Sequence, residues 1–202
     1  PAPAVSPDAI VVPVPIRRFS LGTYRYGRAS QQLGVLDRLV AFANHAHSTV
    51  PEILDLFNAG VLTRNADTEA ILNRRAEAHF NWHFAGRLSR TDDTYARMGV
   101  PLVDMAEHLE PTPLARAEWL KFFALFFNKE ADAEALFSSI EGAYQRTAAL
   151  VDGVTTRPNV LVGTPARDGW QIAGGRNVHS QFIVDAGGRY LWDDNTSTEH
   201  AR

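Results

Sequence analysis

The chain has 202 residues, 45% hydrophobic and 21% charged, enough to bury a core as one large domain or as two small lobes. A formal charge of −3 and a pI near 6.2 leave no excess of Lys and Arg, which argues against a nucleic-acid partner. There is no cysteine, so disulfides, thiolate metal sites and cysteine nucleophiles are excluded together.

No run of about 18 apolar residues suggests a membrane span. Residues 1–7 form a Pro/Ala/Ser leader without an initiating Met and read as the start of a processed chain. Residues 10–16 are rich in Val and Ile but carry Pro13 and Pro15, which suits an irregular extended lead-in or a sheet edge. Residues 17–21 predict a strand, Tyr24 to Arg28 a loop, and 29–36 a short helix closed by Gly34 or Asp37. A compact apolar run, 38–43, reads as a buried strand and ends in Asn44-His45-Ala46-His47-Ser48. Helices are expected at 51–58, with Gly60 as the stop, at 67–73 and at 92–98; strands are expected at 76–84 and 100–105. This β, α, β, α, β, α, β order argues for a mainly parallel sheet with helices on its faces.

Pro111-Thr112-Pro113 opens the longest helix-compatible stretch, 114–151. Thr112 can cap it, and Pro113 takes a first-turn place where no N–H is needed. Asn128 interrupts it. Beyond Lys129, the residues Ala133, Leu136, Phe137, Ile140, Tyr144, Ala148 and Val151 fall at three- and four-residue steps. That is one apolar stripe on a rod of roughly 30 Å at about 1.5 Å per residue, long enough to join two lobes. After it come strands at 158–163 and 170–172, a helix at 177–185 stopped by Gly187-Gly188, and an extended piece at 190–192. A parallel sheet of two or three strands leaves open edges, so this second lobe reads as incomplete. The division expected is an N-terminal α/β lobe at 1–113, a helical segment at 114–153, and the start of a C-terminal α/β lobe at 154–202.

In open α/β sheets, ligands bind beyond the carboxyl ends of strands. Those ends carry Tyr24, Tyr26 and Arg28, then His45 and His47, then Trp82 and His83, then His108, with Trp170, Arg176 and Trp192 in the second lobe. Aromatic rings, His and Arg suit a large, flat or anionic ligand through stacking, cation–π contact and charge-assisted hydrogen bonds. Tyr24, Tyr26 and Trp82 are on general grounds more often packing residues, and Arg28 more often a solvated loop charge. His45 and His47 would face one side of a strand, and His79 and His83 one face of a helix. His45, His47, His83 and His108 are weak candidates for a transition metal, since no His-Glu-x-x-His spacing supports them. Gly-x-Ser-x-Gly and phosphate-loop motifs are absent, which points away from an enzyme. Gly174-Gly175 before a helix could leave N–H groups open to an anion, or could be a tight strand-to-helix turn.

Arg157-Pro-Asn-Val-Leu-Val-Gly163, Trp170, Gly174-Gly175-Arg176-Asn177 and the Phe182 to Trp192 segment resemble the second lobe of the iron-siderophore/haem/vitamin B12 class of ABC-importer substrate-binding proteins. Glu110-Pro-Thr-Pro-Leu-Ala-Arg-Ala-Glu-Trp119 with 131–144 resembles the same family's approach to its inter-lobe helix, and 11–37 with 65–72 its first lobe. The resemblance implies two three-layer α/β lobes joined by a long rigid helix, the second lobe incomplete here. It implies no enzymatic activity and no resident cofactor, but a small-molecule metal chelate of iron or cobalt as ligand. The partner it implies is an ABC-importer permease outside the cytoplasm, docked in part through Glu69, with a protein partner or second copy to complete the C-terminal lobe. The other readings are a truncated relative serving as a structural or accessory subunit, and a His-based metal-binding protein.

Overall fold

The computed structural model describes residues 10–43, 48–64, 67–82, 90–167, 169–197 and 200–201, and the side chains of most of these. The chain divides into two compact units, Pro1–Met105 with Phe122–Ala133, and Ala106–Lys121 with Glu134–Arg202.

In the first unit five strands form an all-parallel sheet: β1 (Phe19–Leu21), β2 (Leu39–Phe42), β3 (Thr63–Arg64), β4 (Ala78–Trp82) and β5 (Leu102–Met105). Their order is β3-β2-β1-β4-β5. Four short helices occupy the crossovers: α1 (Gly27–Gln32), α2 (Pro51–Asn58), α3 (Thr68–Asn73) and α4 (Arg90–Arg97). The alternating pattern read from sequence is therefore present, with β3 as an addition that two residues are too few to signal by periodicity. α2 has the expected bounds, with Pro51 in its first turn and Gly60 at φ +70 behind it. Helical structure begins earlier than expected near Tyr24. The Thr23 hydroxyl accepts from the Arg25 N–H at 3.3 Å, and the 3₁₀ turn that it caps, Tyr24–Tyr26, runs directly into α1.

Both faces of this sheet are covered. On one, Phe19 meets Phe80 edge to face at 5.8 Å, and both rings pack on Phe123 and Phe127. On the other, Ala41, Ile71, Tyr95 and Val100 form a buried cluster that brings α3 and α4 onto the strands. The helix-rich stretch is two helices, α5 (Pro113–Leu125) and α6 (Glu130–Ala148), and α6 ends in a 3₁₀ turn, Ala149–Val151. Asn128 separates them at φ 54, a left-handed position that Asn adopts more readily than most residues. The Thr112 hydroxyl accepts from the Ala115 N–H at 3.3 Å, as a cap does. The boundary between the units falls inside α5 and α6 rather than at 113 and 153. The reason is that Phe123, Ala124 and Phe127 are buried in the first unit's core. The expected stripe along α6 is only partly covered: Ala133 and Phe137 are buried, whereas Ile140 is exposed.

The second unit is not simply a short parallel sheet. β6 (Asn159–Val160) and β9 (Arg189–Tyr190) pair in parallel, but β7 (Gly163–Ala166) and β8 (Gly169–Ala173) form an antiparallel hairpin, and β10 (His200–Ala201) adds antiparallel to β8. Gly169 at φ +144 permits the hairpin turn. Leu161 and Val162, read as strand, fall between β6 and β7, and 191–194 turn instead of extending. α7 (Val178–Asp185) is capped by Asn177, whose side chain accepts from the His179 N–H at 3.0 Å. Tyr144 donates its hydroxyl to Asp185, which also accepts from Gln181, so α6 and α7 are tied together. The Tyr190 hydroxyl donates to the Ala173 carbonyl.

Two outcomes are expected. Phe123→Ala should cost about 3–5 kcal/mol in urea unfolding, the range for removing a buried ring. The second concerns pH. Desolvation, then the Asp185 carboxylate, hold the Tyr144 phenol well above its ordinary value, and desolvation alone raises Tyr190. Both favour the protonated phenol in the fold, so this stabilisation is complete below about pH 10 and is lost as pH rises beyond it. Tyr144→Phe should lower the urea midpoint at neutral pH and flatten its decline as pH rises above about 10.

Candidate functional site

The strand order sets the carboxyl ends of β2, β1 and β4 side by side. β1 leaves the sheet through Gly22, whose N–H donates to the Phe80 carbonyl at 2.7 Å, and the chain then bends into Tyr24–Tyr26. This bend places Tyr24, 48% exposed, at the rim and lays the Arg25 guanidinium over the indole of half-buried Trp82, 4.8 Å from the ring centroid. A guanidinium and an indole thus meet at the carboxyl ends of β1 and β4, with an exposed phenol in the same turn as the guanidinium. Together they offer a stacking face and a cation, the equipment for a flat ligand that carries negative charge.

Of the residues proposed from sequence, Trp82 carries the Arg25 guanidinium, and Tyr24 is exposed in the turn that also holds Arg25. Tyr26 does not serve as a surface contact: it is 6% exposed and packs its ring 5.1 Å from that of Phe123, because the 3₁₀ turn directs it into the core. Arg28 is a tether. Its guanidinium donates to Gln31 Oε1 at 2.7 Å and to the Thr49 carbonyl at 3.4 Å, and Gln31 in turn donates to Glu52 at the start of α2. The cation over Trp82 is Arg25, which is not among the residues proposed from the strand ends. Its signal was its place between Tyr24 and Tyr26, two aromatic neighbours in a loop after a strand. His45, His47 and His83 lie outside the described residues.

Directly beneath the bend lies a polar group within the core. His79 is fully buried on β4, with Nδ1 3.0 Å from Ser20 Oγ on β1, and its ring stacks on that of Tyr95 at 4.1 Å and 10°. Ser20 Oγ also lies 3.4 Å from the Tyr95 hydroxyl. His79 sits in a strand and not on the helical face that its four-residue spacing from residue 83 suggested.

The remaining candidates, apart from Glu69 of the first unit, belong to the second unit and do not converge. The His108 carbonyl accepts from Arg116 at 2.8 Å, Glu110 accepts from Arg116 through its carbonyl and from the Trp119 indole through its side chain, and this network braces the start of α5. Trp170 is 56% exposed on β8, and Trp192 stands beside Tyr190 with 6.5 Å between centroids. Arg176 is exposed, as is Glu69 in the first turn of α3. The turn at Gly174-Gly175 is not open to an anion: the Gly175 N–H donates to the Asn195 carbonyl at 2.7 Å and the Arg176 N–H to the Ser197 carbonyl at 3.1 Å. A Cβ on Gly175 would fall 2.5–2.8 Å from the carbonyl oxygens of Trp192, Asp193 and Asn195, so the glycine admits a close backbone crossing. Among the described residues no group of three or more His, Cys, Asp or Glu side chains is arranged to hold a metal ion. Nor is any helix among them long and apolar enough to cross a membrane.

No protein-family model matches the chain. It is 30% identical over 108 residues to the lipoprotein MJ0878 of Methanocaldococcus jannaschii, covering 52% of this chain and 25% of that protein. It is 23% identical over 205 residues to the lipoprotein MJ0872 of the same organism, covering 96% and 52%. The chain thus spans about half, or less, of the length of these curated relatives. Among solved structures it resembles the periplasmic heme-binding protein RhuT from Roseiflexus sp. RS-1, with TM-score 0.67, 21% identity and coverage of 92% of this chain and 69% of that one. A possible iron-binding periplasmic protein from Staphylococcus epidermidis gives TM-score 0.71 at 12% identity, covering 93% and 72%. A periplasmic heme-binding protein from Pseudomonas aeruginosa gives 0.68 at 16% identity, covering 93% and 66%. The chain therefore has the α/β fold of periplasmic substrate-binding proteins, as the resemblance in its sequence implies.

Replacing Arg25 with Ala should uncover the Trp82 indole. In a background carrying Trp119→Phe, Trp170→Phe and Trp192→Phe, the Trp82 emission is expected to move to the red and to be quenched more readily by acrylamide, with the far-UV circular dichroism unchanged.

Proposed function

We propose that the chain is part of an extracytoplasmic substrate-binding protein that takes up a flat, anionic metal chelate, an iron porphyrin first among the candidates, for delivery to an ABC importer. The observation that carries this reading is the Tyr24, Arg25 and Trp82 edge at the carboxyl ends of β1 and β4. A porphyrin presents a broad apolar face and ionised carboxylates, and these match a ring surface with a guanidinium beside it. The phenol of Tyr24 adds an oxygen donor that ferric iron accepts.

Similarity to proteins described as heme-binding and iron-binding supports the ligand class, and the lipoprotein relatives support a place outside the cytoplasm, anchored to a membrane. Exposed Glu69 is the residue assigned to permease docking on this reading. The protein acts by binding and release, with no chemical step of its own.

The test is titration of the purified protein with ferric haem, a ferric siderophore and cobalamin, following Trp emission and, for haem, the Soret band. Saturable haem binding with a Kd of about 1 μM or tighter is expected, weakened about tenfold by Arg25→Ala. Absence of saturable binding by all three compounds would sink the proposal, and preference for cobalamin or the siderophore would overturn the porphyrin assignment alone.

A further inference from the structure

We infer that His79 and Asn81 are positioning residues for the ligand edge: the His79 ring is a fixed surface, with Asn81 beside it, against which Gly22 is fitted, and so they set the bend that lays Arg25 over Trp82. The argument begins with the space at Gly22. A Cβ built there would lie 2.8 Å from His79 Nε2 and 2.6 Å from Asn81 Oδ1, closer than real Cβ contacts come. Gly22 is not at a left-handed φ, so the glycine is required by what it touches and not by its backbone angle.

Whether such a contact constrains the chain depends on how easily the neighbour gives way. Asn81 is half-buried and could turn, but the His79 ring cannot. It is fully buried, stacked on Tyr95 at 4.1 Å and bonded through Nδ1 to Ser20 Oγ. It stands on β4 with Leu102 of β5 paired on one side and Ser20 of β1 on the other. Tilting the imidazole would break the stack and the hydrogen bond at once, in a layer packed to crystal density. The ring is therefore a fixed surface. β1 leaves the sheet over it, and three residues later Arg25 reaches Trp82, three residues beyond His79 on the same strand β4. The imidazole and the indole thus share one strand, which keeps the Gly22 bend and the Trp82 ring in register.

This also accounts for a polar pair where a covered parallel sheet ordinarily carries aliphatic side chains. An aliphatic residue at 79 would stack poorly on Tyr95 and could rotate. A hydrogen-bonded imidazole holds one orientation.

The test is made first on ligand-free protein, with Trp82 as the lone tryptophan in the Trp119→Phe, Trp170→Phe, Trp192→Phe background. Gly22→Ala is expected to shift the Trp82 emission to the red and to speed its quenching, with far-UV circular dichroism retained. The same substitution made together with His79→Ala and Asn81→Ala should add nothing to what those two changes do, since the surfaces it strikes are gone. Should His79→Ala prevent folding, Gly22→Ala with Asn81→Ser decides the matter by the same readout. Ile71→Val, a trimming in the same layer that does not touch Gly22, controls for general loosening and should leave Trp82 unmoved. A Trp82 signal unchanged by Gly22→Ala, or moved equally by Ile71→Val, would overturn the inference.

The ligand arm rests on the function proposed above: Gly22→Ala should weaken haem binding about tenfold. Failure of the parent protein to bind haem would count against that function and leave the ligand-free result to stand by itself. Haem bound equally well by parent and Gly22→Ala, with the Trp82 signal intact, would overturn the positioning role.

Discussion

An all-parallel sheet is stable only when both of its faces are covered, and the first unit depends on how the chain meets that demand. Its strands are short, and β1 contributes three residues, every one of them buried. One face is closed from nearby in sequence by α3 and α4. The other needs Phe123 and Phe127, which arrive from about a hundred residues downstream and lock Phe19 and Phe80 in an edge-to-face cluster. A loop that long adds only slowly to the entropy of closure, so the contact is thermodynamically accessible once the rings can pack. The consequence is that residues 122–133 belong to the first unit although they lie beyond segments of the second.

This constraint explains where reading the sequence succeeds and where it stops. Elements with local signals are legible: α2 through Pro51 and Gly60, α7 through Asn177, and the break at Asn128 through its tolerance of a left-handed backbone. The bounds of the units are not legible, because nothing in the periodicity of 114–151 distinguishes a phenylalanine that packs on its own helix from one that packs on β1. The second unit shows the same limit. A Val- and Leu-rich run within 158–163 reads as one strand, yet only Asn159 and Val160 enter the parallel pair, Leu161 and Val162 form a break, and the antiparallel hairpin begins at Gly163.

At the carboxyl ends of β1 and β4 the residue types were legible and the arrangement of their side chains was not. Tyr24, Tyr26, Arg25 and Arg28 fall within five positions, and spacing cannot say which ring turns inward or which guanidinium is tied down. The decision rests on a 3₁₀ turn capped by Thr23, which sends Tyr26 to Phe123, leaves Arg25 to Trp82 and gives Arg28 to Gln31. Nor could sequence mark His79 as different from His45, His47 or His83. Its distinction is contact with Ser20 and Tyr95, which come from β1 and α4.

The burial of that histidine is the more instructive cost. An imidazole moved from water into a core is destabilising unless its nitrogens are satisfied, and a Ser hydroxyl with a stacked phenol offsets only part of what a leucine would contribute by packing. A protein selected for stability alone would place an aliphatic residue there, as it does at Ala41 and Ile71 in the same layer. A hydrogen-bonded ring offers instead a single orientation, and a single orientation matters only where something outside must be held in register with it. The nearest such thing is the Gly22 bend, with Arg25 and Trp82 above it. The polar pair in the core and the aromatic edge at the surface are therefore two ends of one arrangement, in which buried order is converted into the fixed spacing of a cation and a ring.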